Sequence, residues 1–214
     1  MRRPRRKQIR RKRSKNPAKV SQLMTKNRFT PKSQVFVKTQ LAYNNPLALE
    51  YVGAGTSLTS IGGATVGSMP DFSNITALYN RYKMLSVTYN WNLQTTGALS
   101  LYNYDLPKML VRYNYDANLT SAAVPTKLEA IPNVKQFQFT QDKTQFSYTY
   151  YPRANEPVYL SGISTGYKLA KQQYIDVAYS NVPMYGIMWY VDNLGTGLKL
   201  SLDITYKVAF KYEN

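Results

Sequence analysis

The chain has 214 residues, with 28 Lys and Arg against 11 Asp and Glu, a net charge of +17, and neither His nor Cys. Without those two residue types there can be no Ser-His-Asp or Cys-His nucleophile, no ordinary zinc site and no disulfide. The acids stand singly, no G-x-x-x-x-G-K-[ST] loop is present, and no run of 18 apolar residues suggests a membrane span, so an enzyme, a metal centre and an integral membrane protein are all disfavoured.

The charge is concentrated at the start. Residues 1–32 hold fourteen basic side chains and no acid: Arg2, Arg3, Arg5, Arg6, Lys7, Arg10, Arg11, Lys12, Arg13, Lys15, Lys19, Lys26, Arg28 and Lys32. That leaves fourteen basic and eleven acidic groups over residues 33–214, a net +3. A block of like charges repels itself and buries no apolar area, so residues 1–32 are expected to form a disordered arm that binds a polyanion, and residues 33–214 a single folded domain. The arm has no aromatic residue before Phe29, which disfavours base stacking and favours phosphate contacts whose affinity falls steeply with salt. Arg2, Arg3, Arg5, Arg6, Lys7, Arg10, Arg11, Lys12 and Arg13 also suit a nuclear localisation signal, which import receptors read as a short basic run.

Beyond the arm the chain reads as strands separated by turn clusters. Residues 33–43 are expected to form the first strand, 44–70 an irregular connection, and 72–82 a short helix. A long strand over 83–94 alternates Leu85, Val87, Tyr89, Trp91 and Leu93 with Met84, Ser86, Thr88, Asn90 and Asn92. Another spans 108–116, followed by a connection over 116–132 with room for a helical turn in 121–129. Residues 136–141 and 145–151 are expected to pair around Asp142-Lys143. Residues 152–173 are assigned to a loop and 174–178 to a short strand. The clearest signal comes last: Leu198, Leu200, Leu202, Ile204, Tyr206, Val208, Phe210 and Tyr212 occur at period two. The run before it, with Tyr185, Ile187, Trp189 and Val191, is expected to pair with it as a hairpin through the Gly-containing segment 192–197. About eight strands, twenty Tyr and little helix indicate an all-β sandwich.

At this point the pattern resembles a family. A basic arm before eight strands, Phe72-Ser73-Asn74-Ile75-Thr76-Ala77-Leu78-Tyr79-Asn80-Arg81-Tyr82-Lys83-Met84 leading into a strand, Tyr148-Thr149-Tyr150-Tyr151-Pro152, Tyr185-Gly186-Ile187 and the closing Ile204–Lys211 stretch are similar to the capsid proteins of circovirus-like small circular single-stranded DNA viruses. The resemblance implies an all-β, eight-stranded viral jelly roll with long inter-strand loops. It also implies sixty copies in a T=1 icosahedral shell around single-stranded DNA, no cofactor, and a location in the virion and, during assembly in a eukaryotic host, the nucleus. Import receptors and a host-cell receptor are implied partners. Sixty arms would carry about 840 positive charges, a genome-scale complement. Arg81, Lys83, Lys108, Arg112 and Lys135 are further candidate inner-surface contacts. Tyr51, Tyr102, Tyr104, Tyr159 and Tyr167 are read either as subunit contacts or as local packing. Other readings share these features: a coat protein of a small RNA or satellite virus has the same arm and fold, and a ribosomal-type binding protein has the same basic tail. The sequons at Asn74 and Asn118 are assigned to chance.

Overall fold

Alternating apolar and polar side chains force a strand to bury one face, and in this chain two sheets meet over such faces. The computed structural model describes residues 33–41, 50–62, 65–97, 101, 104–114, 128, 134–160, 163–182 and 184–213. These include the strands Gln34–Gln40 (β1), Glu50–Val52 (β2), Thr56–Gly62 (β3), Arg81–Thr95 (β4), Lys108–Tyr113 (β5), Lys135–Gln138 (β6), Gln145–Tyr150 (β7), Asn155–Leu160 (β8), Ile163–Leu169 (β9), Ile175–Asp176 (β10), Ile187–Leu194 (β11) and Leu198–Lys211 (β12). A five-residue helix, Phe72–Thr76 (α1), and 3-10 turns at Val66–Ser68 and Val177–Tyr179 accompany them.

Eight of the strands form two antiparallel four-stranded layers, β1-β12-β4-β7 and β3-β11-β5-β6. This is the expected jelly roll. Two short strands extend the first layer to six, with β2 beside β12 and β10 beside β4, while β8 and β9 form a separate two-stranded ribbon. Between the layers lie Trp91, Val87, Leu93, Val111, Ile187, Trp189, Leu202, Tyr206 and Phe210, all at most 2% exposed. Trp91 stacks on Phe146 at 5.6 Å and meets Trp189 edge-on at 6.1 Å, joining the two sheets by aromatic contact.

Four expectations need correction. First, the two C-terminal runs do not form a hairpin: β11 pairs with β3 and β5, whereas β12 lies between β1 and β4 in the other sheet. Both runs have a strongly apolar face, and placing them in facing layers buries those faces against each other. The connection crosses from one layer to the other, with Gly197 at φ +91° and the Leu198 N–H donating to Gly195 O at 3.0 Å. Second, β6 and β7 separate in the same way: they share no ladder among the described residues, their segments are joined by the isolated Thr140–Lys143 bridge, and Phe137 of β6 stacks on Phe146 of β7 at 4.7 Å. Third, the segments taken as loops over 44–70 and 152–173 contain β2, β3, β8 and β9. β3 reads Thr-Ser-Leu-Thr-Ser, and hydroxyls at most of its positions conceal the alternation. Fourth, Leu85 is not on the buried face. A bulge between Lys207 and Val208 shifts the register opposite residues 84–86, so Met84 takes the core position and Leu85 is only half-buried.

Smaller differences follow. The helix expected over 72–82 ends at Thr76, and Tyr212 lies beyond β12 and is 49% exposed. The strand expected over 174–178 is only Ile175–Asp176, because Asp176 accepts the Ala178 N–H at 2.9 Å and opens a 3-10 turn. Of the helical turn expected over 121–129, only Leu128 is among the described residues. Gly53 is required where β2 approaches the crossing: a Cβ there would stand 2.1 Å from Gly195 O.

Candidate nucleic-acid interface

Phosphate backbones are held by cations not already paired to carboxylates and by hydroxyl and amide donors. The fourteen basic residues of the arm lie outside the described residues; what the structure defines is the strand that follows them. β1 is hydrogen-bonded to β12 and to no other strand among the described residues. Its odd-numbered side chains point away from the core, leaving Val35 48% and Val37 60% exposed. Its even-numbered side chains are tied inward. Phe36 packs edge-on against Tyr79 at 5.9 Å and Phe210 at 5.6 Å, the Tyr79 hydroxyl donates to Gln34 Oε1 at 2.6 Å, and Lys38 Nζ donates to Asp71 Oδ2 at 2.6 Å. The strand next to the basic segment is therefore held by its ladder to β12 and by contacts to residues beside α1.

The five candidate cations of the body do not converge. Arg81 and Lys83 lie on the outer face of the six-stranded sheet, in register with Lys211 and Ala209. Arg81 Nε is 3.3 Å from Glu213 Oε2, and the same carboxylate takes Lys211 Nζ at 3.1 Å. Asn80 fixes that carboxylate's backbone from both sides: its Oδ1 accepts the Glu213 N–H at 2.8 Å and its Nδ2 donates to the Glu213 carbonyl at 2.5 Å. Lys108 and Arg112 occupy the outer face of the four-stranded sheet, and Lys135 sits over the Tyr148 ring at 5.3 Å.

The two outer faces differ in chemistry. On the four-stranded sheet, Leu110 and Met188 are covered by Leu128 in a second, smaller apolar cluster, with Val134 and Tyr190 at its border. On the six-stranded sheet, hydroxyls and amides line up instead. Thr39, Thr205, Thr88 and Thr149 form one row across β1, β12, β4 and β7, with Thr39 and Thr205 Oγ1 3.0 Å apart and Thr88 and Thr149 Oγ1 2.8 Å apart. The next row holds Asp203, Asn90 and Ser147, with the Ser147 hydroxyl donating to Asn90 Oδ1 at 2.7 Å. In the opposite direction come Lys207 beside Ser86, then Ala209 beside Lys83. The sequence offered no signal for this face beyond the polar positions that alternate with the core residues of β4 and β12.

No three Asp, Glu, His or Cys side chains converge among the described residues. The shifted groups are tyrosines of the core. Burial pushes Tyr82 and Tyr206 up to about 12 and raises Tyr51, and it lifts Tyr89 well above the ordinary range with Tyr150 and Tyr206 adding to the effect. These hydroxyls stay neutral at physiological pH and serve packing. Tyr51 meets Trp189 edge-on at 5.5 Å and half-buried Tyr104 packs against the core, so both take part in local packing; Tyr102 and the side chains of Tyr159 and Tyr167 lie outside the described residues.

A family model described as circovirus capsid protein matches residues 1–214. The chain belongs to the circovirus capsid protein family. Two solved structures share its architecture. The 60-mer BFDV capsid protein is 8% identical, with 87% of this chain and 98% of that chain covered and a TM-score of 0.62. The decameric BFDV capsid protein is 11% identical, with 84% and 99% covered and a TM-score of 0.55. At such identities the likeness establishes the fold, and both relatives are covered nearly end to end. No curated protein sequence matches the chain. Family membership makes this a structural capsid protein, a component of the virion, and among the described residues no helix is long and apolar enough to cross a membrane.

Proposed function

We propose that sixty copies of this chain close into an icosahedral shell and that the arm, residues 1–32, retains a single-stranded DNA genome inside it. The observation that carries this reading is the division of charge: fourteen cations and no acid in the arm, against a net +3 in a jelly-roll body of the capsid family. The 60-mer formed by the BFDV protein, which shares the fold, supports the shell. Family membership favours DNA over RNA as cargo. Counterion release from the neutralised phosphates supplies sequence-independent affinity, with a salt slope on single strands of about −0.7 per phosphate contacted.

Particle size, nuclease sensitivity and an arm deletion test this reading together. The full chain is expected to elute as a megadalton particle whose cargo is destroyed by DNase and spared by RNase once released. Deleting residues 1–32 is expected to leave a folded body that retains little or no nucleic acid. A monomer or dimer of the full chain, or normal packaging by the truncated one, overturns the proposal. Arg2–Lys15 would serve as the nuclear import signal in a eukaryotic host, and relocation of a fluorescent fusion on Arg-to-Ala replacement there is its test.

A further inference from the structure

The arm does not account for the polar outer face of the six-stranded sheet. From the packaging reading proposed above, we infer that this face is a second contact surface for the packaged strand, one that binds its sugar-phosphate backbone through Lys83, Lys207 and the threonine row.

Four observations converge on it. Lys83 and Lys207 lie diagonally across β4 and β12 on the same face, and neither makes an ion pair or cation–π contact among the described residues, whereas the neighbouring Arg81 and Lys211 are already held by Glu213. No carboxylate stands among the described residues of the three rows that carry Lys83, Lys207 and the threonines; Asp203 begins the following row, on the side away from the lysines. In each hydrogen-bonded threonine pair one hydroxyl donates to the other, which leaves the acceptor's own O–H free to point outward, so the row presents two free donors. Lysine, threonine and amide side chains are the groups that position nucleic-acid backbones without reading bases.

The chemistry also selects the occupant. A protein partner settles on an apolar, charge-depleted centre, and among the described residues this face has none: its exposed aliphatic side chains, Val35, Val37 and Val52, sit on the margin strands β1 and β2. The opposite sheet is closed to a nucleic-acid strand over its centre by Leu110, Met188 and Leu128. β1, which begins two residues after Lys32 in the chain, is itself an edge of the polar face, one strand from Lys207 and two from Lys83. The sequence tolerance of such a surface suits a wall on which any genome segment lies.

The test uses particles of the full chain. Ultraviolet crosslinking followed by peptide mass spectrometry is expected to find nucleotides on peptides from β4 and β12 as well as on the arm. An amine-acylating reagent is expected to modify Lys83 and Lys207 about three-fold more slowly in filled particles than in emptied ones, with exposed Lys108 on the other sheet unchanged. K83E/K207E is expected to lower the nucleotides retained per subunit by about a quarter, since it changes four of sixteen effective charges; K83Q/K207Q, at about half that loss, covers the case in which charge reversal blocks assembly. Crosslinks confined to the arm, or an unchanged nucleotide content in both variants, overturn the inference while leaving packaging by the arm intact. Particles that hold no nucleic acid overturn both.

Discussion

The two sheets of this sandwich share one core yet treat their outer faces in opposite ways. The four-stranded sheet hides Leu110 and Met188 beneath Leu128. Among the described residues, the six-stranded sheet presents an ordered array of hydroxyls and amides with two lysines that make no ion pair. Burial on both sides makes a sheet part of the scaffold, whereas a sheet buried on one side only has a face available for contact. The difference teaches where to look for function in a structural protein: on the side the core did not need.

Substitutions should separate the two faces by size of effect. Leu128→Ala removes the cover of the four-stranded sheet and is expected to cost about 2–4 kcal/mol in urea unfolding, as for a buried Leu in a well-packed site. A cost near zero would show that face to be as dispensable to stability as the other. Next comes the alkaline limb. Tyr206 and Tyr82, both on the inner side of the six-stranded sheet, ionise only near pH 12 when folded and near 10 when unfolded. Between those values the unfolded chain has released the proton and the folded chain keeps it, so stability present below pH 10 is lost as pH rises toward 12. Tyr206→Phe should flatten that limb in a pH series of unfolding midpoints, while costing about 1 kcal/mol at neutral pH through the lost hydrogen bond to Gln40. The smallest effect is expected on the polar face: Thr88→Val, which keeps the shape and loses the bond to Thr149, should shift stability by about 0.5 kcal/mol. A loss of several kcal/mol there would mean that the threonine row holds the sheet together and is not a contact surface.

Much of the scaffold was legible because hydrophobic period is a local property. The alternation from Leu198 to Phe210 marked β12 and its buried side, and Tyr89, Trp91 and Leu93 marked the inner side of β4. Leu85 was misplaced because a bulge is a relation between two strands, and nothing at residue 85 alone announces that residue 208 will be out of step. β3 escaped notice because Thr and Ser occupy positions where Val or Ile would have shown the pattern. The candidate cations Arg81, Lys83, Lys108, Arg112 and Lys135 were visible one by one, but their division among two outer faces and a flank was not.

The sequence by itself determined that this chain is a strongly basic arm followed by a nearly neutral β body, and that neither His nor Cys chemistry is open to it. Charge, composition and alternation are additive along the chain, so no fold is needed to read them. Only the tertiary structure decided which strand lies beside which. It placed β11 and β12 in facing layers and set four threonines from four strands in one row, and among the described residues it left Lys83 and Lys207 without an ion pair while Glu213 took Arg81 and Lys211. Those decisions rest on pairings between residues as far apart in the chain as Gln34 and Phe210. They are set by which apolar faces can be buried together, a property of the whole chain that no segment of it carries alone.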